Sequence, residues 1–167
     1  MSTNTTAADD RDEPHDDSAE TYTLGFVCVQ NAGRSQMATA FAERERSRRG
    51  LEDVVEITTG GTHPADSVHD LVVEIMAEID ADEGGGIDLS GRTPREISTE
   101  ELNGCDVVAT MGCSTLELDA DDVDVRDWAL DDPDGADPET ARRIRDAVRE
   151  RVAALFDEVE ADRSGSA

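Results

Sequence analysis

Short apolar runs alternate along the chain with longer segments in which apolar residues recur every three or four positions. The short runs predict strands at 22–29, 54–58, 105–111 and, more weakly, 123–130. The longer segments predict helices at 35–49, 68–79 and 138–159. A further short helix is expected after Ser98, where Ser-Thr-Glu-Glu has the form of a capping box. This alternation predicts a three-layer α/β/α fold around a central four-stranded parallel sheet.

The ends and the buried faces of the three long helices can also be predicted. Ser35 is the expected N-cap of the first helix, Gly50 its end, and Pro138 suits the first turn of the last helix. The expected buried stripes are Met37, Ala38, Phe41 and Ala42; Leu71, Val72, Ile75, Met76 and Ile79; and Ile144, Val148, Val152, Leu155 and Phe156.

Composition divides the 167-residue chain into one domain with two polar ends. Residues 1–20 are acidic, have almost nothing to bury, and are expected to be a disordered tail. Residues 21–160 carry the apolar runs and form the predicted domain, and residues 161–167 read as a polar tail. Because aromatic residues make up only 3% of the chain, the core must consist of Val, Ile, Leu, Ala and Met.

The charge is strongly one-sided, with 41 acidic residues against 15 basic ones, all arginine, and a formal net charge of −26. Such a chain repels nucleic-acid backbones and anionic lipid, so no nucleic-acid or membrane partner is expected. No apolar stretch approaches the roughly 18 residues of a spanning helix, and the start of the chain lacks a signal-peptide pattern. We therefore expect a cytoplasmic protein, from an organism whose cytoplasm is rich enough in salt to screen this charge.

The end of the first strand carries the candidate chemistry, because ligands of open parallel sheets bind at the carboxyl ends of the strands. There the chain reads Cys28-Val-Gln-Asn-Ala-Gly-Arg34-Ser35 and leads directly into a helix. Backbone N–H groups of such a loop form a cradle for an oxyanion, Arg34 can bind two of its oxygens, and Cys28 is the candidate nucleophile. The Ser35 hydroxyl is a candidate donor to the thiolate. The loop residues that complete this cradle are Val29, Gln30, Asn31, Ala32 and Gly33. On the alternative interpretation, Cys28 is a buried strand residue and Arg34 a surface charge.

The other cysteines and the histidines give weaker signals. Three cysteines at Cys28, Cys105 and Cys113 are too few, and wrongly spaced, for a disulfide framework or a zinc site. Cys105 begins a strand and is expected to fill the core. His63 and His69 fit a polar entry into a helix better than a metal site, so neither a metal nor a bound cofactor is expected.

Several segments together resemble the low-molecular-weight protein tyrosine phosphatase superfamily, and most closely its arsenate reductase branch. The resemblance covers roughly residues 22–160. It rests on VCVQNAGRSQMATAF, GGTHPADSVHDLVVEIMAEI, GIDLSGRTPREI, CDVVATMGC and DWALDDPDG, in this order along the chain.

The resemblance implies a mechanism. Cys28 would attack the phosphorus or arsenic of a bound oxyanion, Arg34 and the loop amides would stabilise its oxygens, and Asp132 of the Asp132-Pro133 pair would protonate the leaving oxygen. Members coupled to thioredoxin use two further cysteines, but here only Cys113, in a TMGC motif, stands in the corresponding segment. Cys113 is thus a possible resolving thiol, and an external thiol from a thioredoxin- or glutaredoxin-like protein or a small molecule is the other possibility.

Reductase and phosphatase are the two activities to separate. Tyrosine phosphatases of this superfamily carry aromatic residues at the site, including one after the Asp-Pro pair, whereas Asp134 and Gly135 stand here and Tyr22 is the chain's only tyrosine. The sequence therefore favours the interpretation that the protein is a reductase with arsenate as its substrate. Phosphomonoester hydrolysis is the alternative, and a non-catalytic oxyanion sensor is a minor one.

Overall fold

A computed structural model describes residues 21–111, 123–128, 130–131, 133 and 135–165. Its sheet contains four parallel strands in the order β2–β1–β3–β4. Their bounds are Tyr22–Cys28 for β1, Val55–Gly61 for β2, Val107–Met111 for β3 and Asp124–Asp127 for β4. Strand β1 is hydrogen-bonded to a neighbour on each side, and its last five residues are buried. Its last residue, Cys28, therefore lies in the middle of the carboxyl edge of the sheet.

The described residues form four α-helices around the sheet. They span Arg34–Arg48 (α1), Asp70–Ala77 (α2), Thr99–Asn103 (α3) and Pro138–Gly165 (α4), with a short 3₁₀ turn at Ala81–Glu83. Helix α4 packs against both α1 and α2, while α1 also contacts β1 and β2. Among the described residues, no helix has both the length and the apolar character needed to cross a lipid bilayer.

The connections place helices on both faces of the sheet. The crossover from β1 to β2 and the crossover from β2 to β3 run in opposite directions along the sheet. Right-handed connections therefore put α1 on one face and the segment that contains α3 on the other. Gly25 marks the α3 face, since a Cβ atom there would lie 3.4 Å from Leu102. The predicted three-layer α/β/α fold around a four-stranded parallel sheet is confirmed.

The predicted apolar stripes form the core. All of their members are buried except Leu71, which is half-buried against the core. The capping box is also present, with the Ser98 hydroxyl accepting from the Glu101 N–H and the Glu101 carboxylate accepting from the Ser98 N–H. Gly50 follows the end of α1 with a left-handed φ of 67°, as its predicted role requires.

Several predicted boundaries were wrong. Ser35 is not an N-cap: α1 begins at Arg34, Gly33 precedes it, and the serine hydroxyl has other partners. Strand β2 continues through both of the glycines that were expected to end it, because Gly61 pairs with Cys28. Helix α4 continues to Gly165, beyond its predicted end at Val159, since helical backbone hydrogen bonds need no apolar stripe. Helix α2 is shorter than predicted because His69 is extended, with φ −59° and ψ 136°. Residues 1–20 lie outside the described part.

Candidate active site

A tight loop, residues 29–33, connects the end of β1 to the start of α1 and contains the candidate chemistry. Cys28 is the last residue of β1 and is 3% exposed, and Arg34 is the first residue of α1 and is 8% exposed. The loop therefore brings a thiol, a guanidinium and the N–H groups of a helix's first turn to one place. We call residues 29–35 the oxyanion loop.

The Cys28 sulfur has two polar contacts in this loop. The Asn31 backbone N–H donates to Sγ at 3.2 Å, and the Ser35 Oγ lies 2.8 Å from Sγ. Both groups would stabilise negative charge on sulfur, and the thiolate is the nucleophilic form of cysteine.

The Asn31 side chain connects the loop to three other parts of the site through hydrogen bonds. Its side chain is fully buried and makes four hydrogen bonds, which is the full capacity of an amide used in this way. Its Nδ2 donates to Ser35 Oγ at 2.7 Å and to Thr59 Oγ1 at 3.0 Å. Its Oδ1 accepts from the Arg95 backbone N–H at 3.0 Å and from Gln36 Nε2 at 3.1 Å. Asn31 has a φ of 52°, in the left-handed region that asparagine tolerates better than most residues.

This network sets the direction of the hydrogen bond to the nucleophile. A backbone N–H can only donate, so the Arg95 contact fixes which end of the Asn31 amide is oxygen. The Asn31 Nδ2 must then face Ser35, whose oxygen accepts from it. The Ser35 proton is thus left to point at the Cys28 sulfur, 2.8 Å away.

The carbonyls of the loop are held from outside by the segment after β2. The N–H groups of residues 62, 63, 65 and 69 donate to the oxygens of residues 28, 29, 30 and 32, at 3.3, 2.8, 2.9 and 3.0 Å. These four hydrogen bonds fix the positions of the carbonyls and so of the peptide groups that carry them. We call residues 62–69 the support segment.

Arg34 is held by the segment around the Asp-Pro pair. Its Nη1 donates to the Leu130 carbonyl at 2.8 Å. Pro133 packs on Gly33, where a Cβ atom would lie 3.2 Å from Pro133 Cγ and 3.6 Å from the His69 ring. Residues on both sides of position 132 therefore contact the oxyanion loop.

Two sequence-predicted residues, Asp132 and Cys113, lie outside the described residues. The structure does place Cys105, on the opposite face of β1 from Cys28, with its sulfur 3.1 Å from the position of a Cβ on Gly25. Burial, with help from Asp106 and Glu101, raises the pKa of the Cys105 thiol to about 11. Cys105 is thus a buried, protonated core residue.

Sequence reasoning missed four contributors to the site: Gln36, Thr59, Gly61 and Arg95. Gln36 and Thr59 bind Asn31 through their side chains, whereas Arg95 binds it through its backbone N–H. Because nearly every residue type has a backbone N–H, the identity of residue 95 does not indicate this contact. The consecutive Gly60 and Gly61 were the one available hint, because two glycines inside a strand indicate a close approach by another part of the backbone.

The arrangement can bind and attack a tetrahedral oxyanion. Loop N–H groups, the N-terminus of α1 and Arg34 supply positive potential, and the Cys28 sulfur has hydrogen-bond donors beside it. His63 and His69 contribute backbone N–H groups to the support segment. Within the described part of the chain, no cluster of three or more His, Cys, Asp or Glu side chains has metal-binding geometry.

Comparisons with known proteins agree with this geometry. A candidate arsenate reductase of Halobacterium salinarum is 69% identical over 142 residues, which are 85% of this chain and 96% of that protein. A glutaredoxin arsenate reductase of Synechocystis is 33% identical over 140 residues, with 78% of this chain and 93% of that protein covered. The solved thioredoxin-dependent arsenate reductase of Corynebacterium glutamicum superposes with a TM-score of 0.68 at 26% identity, over 87% of this chain and 65% of that one. A family model described as low molecular weight phosphotyrosine protein phosphatase matches residues 23–165. The chain belongs to the low molecular weight phosphotyrosine protein phosphatase family.

Proposed function

We propose that this protein is an arsenate reductase in which Cys28 forms a covalent bond to arsenic. The observation that carries the proposal is the 69% identity to the Halobacterium protein, over 85% of this chain and 96% of that protein. The structure supports the oxyanion chemistry through the Cys28 sulfur, which lies beside two hydrogen-bond donors at the N-terminus of a helix.

The first step transfers arsenate to sulfur. The Cys28 thiolate attacks arsenic(V), a sulfur–arsenic bond forms, and one arsenic–oxygen bond breaks. Asp132 protonates the departing oxygen, which leaves as water. Arg34 and the loop amides bind the remaining oxygens.

The second step reduces the arsenic. A thiolate attacks the Cys28 sulfur, the sulfur–arsenic bond breaks, and its electron pair goes to arsenic, which leaves as arsenite. A disulfide between Cys28 and the attacking thiol remains, and thiol–disulfide exchange reduces it. Each turnover thus consumes two electrons, which come from two external thiols or one external dithiol, and these end as a disulfide.

Cys105 is unsuited to this attack. Its sulfur lies where a Cβ on Gly25 would come within 3.1 Å, and Gly25 is three residues before Cys28 and faces the other side of the sheet. Three residues of a strand span about 10 Å, whereas disulfide-bonded Cα atoms are about 5.5 to 6 Å apart. Cys113 or an external thiol is therefore the proposed attacking group, and the relatives that use glutaredoxin and thioredoxin support a protein reductant.

A phosphatase is the second candidate, favoured by the family to which the chain belongs. In that activity the phosphocysteine would be hydrolysed by water and no thiol would be consumed. The same Cys28, Arg34 and Asp132 would act, so the two candidates differ only after the covalent step.

The decisive experiment follows arsenite formation in molar KCl. Reduced protein is incubated with arsenate and, in separate reactions, thioredoxin, glutaredoxin or a small thiol with their recycling enzymes, while p-nitrophenyl phosphate hydrolysis is measured in parallel. We expect arsenite formation that requires a reductant, is abolished by Cys28→Ser and is unaffected by Cys105→Ser. Cys113→Ser separates the two resolving routes: it stops turnover if Cys113 attacks and leaves it intact if the external thiol does. Fast phosphate release with no arsenite under any reductant would establish the phosphatase instead.

A further inference from the structure

We infer that Gly61 is a positioning residue for the nucleophile, because its missing side chain lets the end of β2 lie directly against the oxyanion loop. The inference rests on the proposed function only in taking residues 29–35 as an oxyanion site.

The close approach is visible in the space around Gly61. A Cβ atom at this position would lie 2.5 Å from the Val29 carbonyl oxygen, 3.0 Å from the Asn31 backbone nitrogen and 3.1 Å from the Asn31 Cβ. The first two of these are backbone atoms of the oxyanion loop, which cannot swing aside as the end of a flexible side chain can. Every residue other than glycine therefore requires the loop or β2 to move.

Gly61 itself is also held in place by hydrogen bonds to residues 95 and 97. Its N–H donates to the Arg95 carbonyl at 2.8 Å, and its own carbonyl accepts from the Ile97 N–H at 3.3 Å. It also pairs in register with Cys28 in the sheet. Since Arg95 also binds Asn31 through its N–H, a shift of residues 95–97 would disturb the loop as well. The strain of an added methyl group must fall on Val29 and Asn31.

Two properties of the site depend on this contact. The Asn31 N–H donates to the Cys28 sulfur, so a displaced Asn31 weakens that hydrogen bond. The support segment begins at the residue after Gly61, and four of its N–H groups donate to the carbonyls of Cys28 and of three loop residues. A displaced loop loses part of this support, and its own N–H groups no longer converge on one anion.

The test uses binding of inorganic phosphate to the reduced protein in molar KCl, measured by calorimetry, together with the rate at which iodoacetate modifies Cys28 at neutral pH. Gly61→Ala is compared with two controls. Gly91→Ala adds the same methyl group where nothing lies within 4 Å. Val148→Ala removes fully buried core atoms in α4, far along the chain from the loop, and so reports on lost stability alone.

We expect Gly61→Ala to bind phosphate at least tenfold more weakly and to react more slowly at Cys28, with both controls within twofold of the wild type. A Gly61→Ala variant that binds within twofold of the wild type overturns the inference and leaves the proposed function standing. A wild-type protein that binds neither phosphate nor arsenate overturns the oxyanion site itself, and this inference with it.

A second pair of variants decides the question if Gly61→Ala does not fold. The His69 N–H supports the Ala32 carbonyl at 3.0 Å, and the His69 φ of −59° suits proline. Both His69→Pro and His69→Ala remove the imidazole ring, but only His69→Pro also removes the backbone N–H. We expect His69→Pro to bind phosphate about fivefold more weakly than His69→Ala, as one lost hydrogen bond implies. Equal affinities would overturn the role of the support segment, and with it the inference that Gly61 acts by keeping the oxyanion loop against that segment.

Discussion

Truncation of Asn31 tests whether one buried amide holds the oxyanion loop together. Asn31→Ala removes all four hydrogen bonds of the side chain at once and places an alanine at a φ of 52°. Asn31→Gly removes the same four bonds but accepts this φ without strain. The two variants together separate the loss of the network from the cost of the backbone conformation.

The expected loss of stability follows from the number of bonds. A buried hydrogen bond contributes about 1 kcal/mol net, so four lost bonds cost about 4 kcal/mol. The left-handed backbone costs alanine about 1 kcal/mol more, which gives about 5 kcal/mol for Asn31→Ala. Since domains are stable by only about 5 to 15 kcal/mol, this loss is a large share of the total. Asn31→Gly should be more stable than Asn31→Ala by up to about 1 kcal/mol.

Urea unfolding in molar KCl, followed by far-UV circular dichroism, measures these differences. Gln30→Ala is the matched control, because Gln30 is exposed in the same loop, and it should change stability by less than about 0.5 kcal/mol. If both Asn31 variants lose less than about 1 kcal/mol, the four contacts do not stabilise the fold and the reasoning is wrong.

Three other predictions concern the nucleophile, the second buried thiol and the charge. Ser35→Ala removes the hydroxyl that lies 2.8 Å from the Cys28 sulfur, and we expect turnover to fall by about 30-fold, as a charge-assisted hydrogen bond of about 2 kcal/mol implies. A change below threefold would show that this donor does not matter. Burial raises the pKa of Cys105 from 9.0 to about 11, so its protonated form contributes stability below pH 9 that is lost as the pH rises towards 11. The wild type should therefore lose up to about 3 kcal/mol over this range relative to Cys105→Ser, and parallel alkaline unfolding curves would contradict this. Finally, the net charge of −26 should make low salt lower the melting temperature and raise the KM for the anion together, because the Debye length grows from about 3 Å at 1 M to about 10 Å at 0.1 M. A KM that falls on removal of salt, with the fold intact, would refute that expectation.

The fold could be predicted because its elements carry strong local patterns. Val72, Ile75 and Met76 recur at helical spacing and are buried in α2, and the apolar run that ends at Cys28 is the central strand. The same patterns located the oxyanion loop, since a nucleophile between a strand and a helix lies at the carboxyl edge of the sheet.

The internal support of the loop could not be predicted, because it depends on contacts between distant parts of the chain. Serine is a residue type that favours the N-cap position, yet the Ser35 hydroxyl is hydrogen-bonded to the side chains of Asn31 and Cys28. These partners come within reach only when the loop has folded. Gly61 is a poor strand former and was expected to end β2, but tertiary pairing with Cys28 overrides this propensity. The N–H groups of the support segment belong to the backbone, which is the same for nearly every residue type.

The hydrogen bond from Arg34 to the Leu130 carbonyl has a consequence for affinity. A free arginine side chain samples many rotamers, and ordering it on binding costs about 1 kcal/mol of conformational entropy. Here Arg34 is 8% exposed and its guanidinium already donates to the Leu130 carbonyl at 2.8 Å, so that entropy is lost when the chain folds. An arriving anion therefore meets a preorganised guanidinium, and the saving of about 1 kcal/mol corresponds to about fivefold tighter binding than a mobile arginine would give.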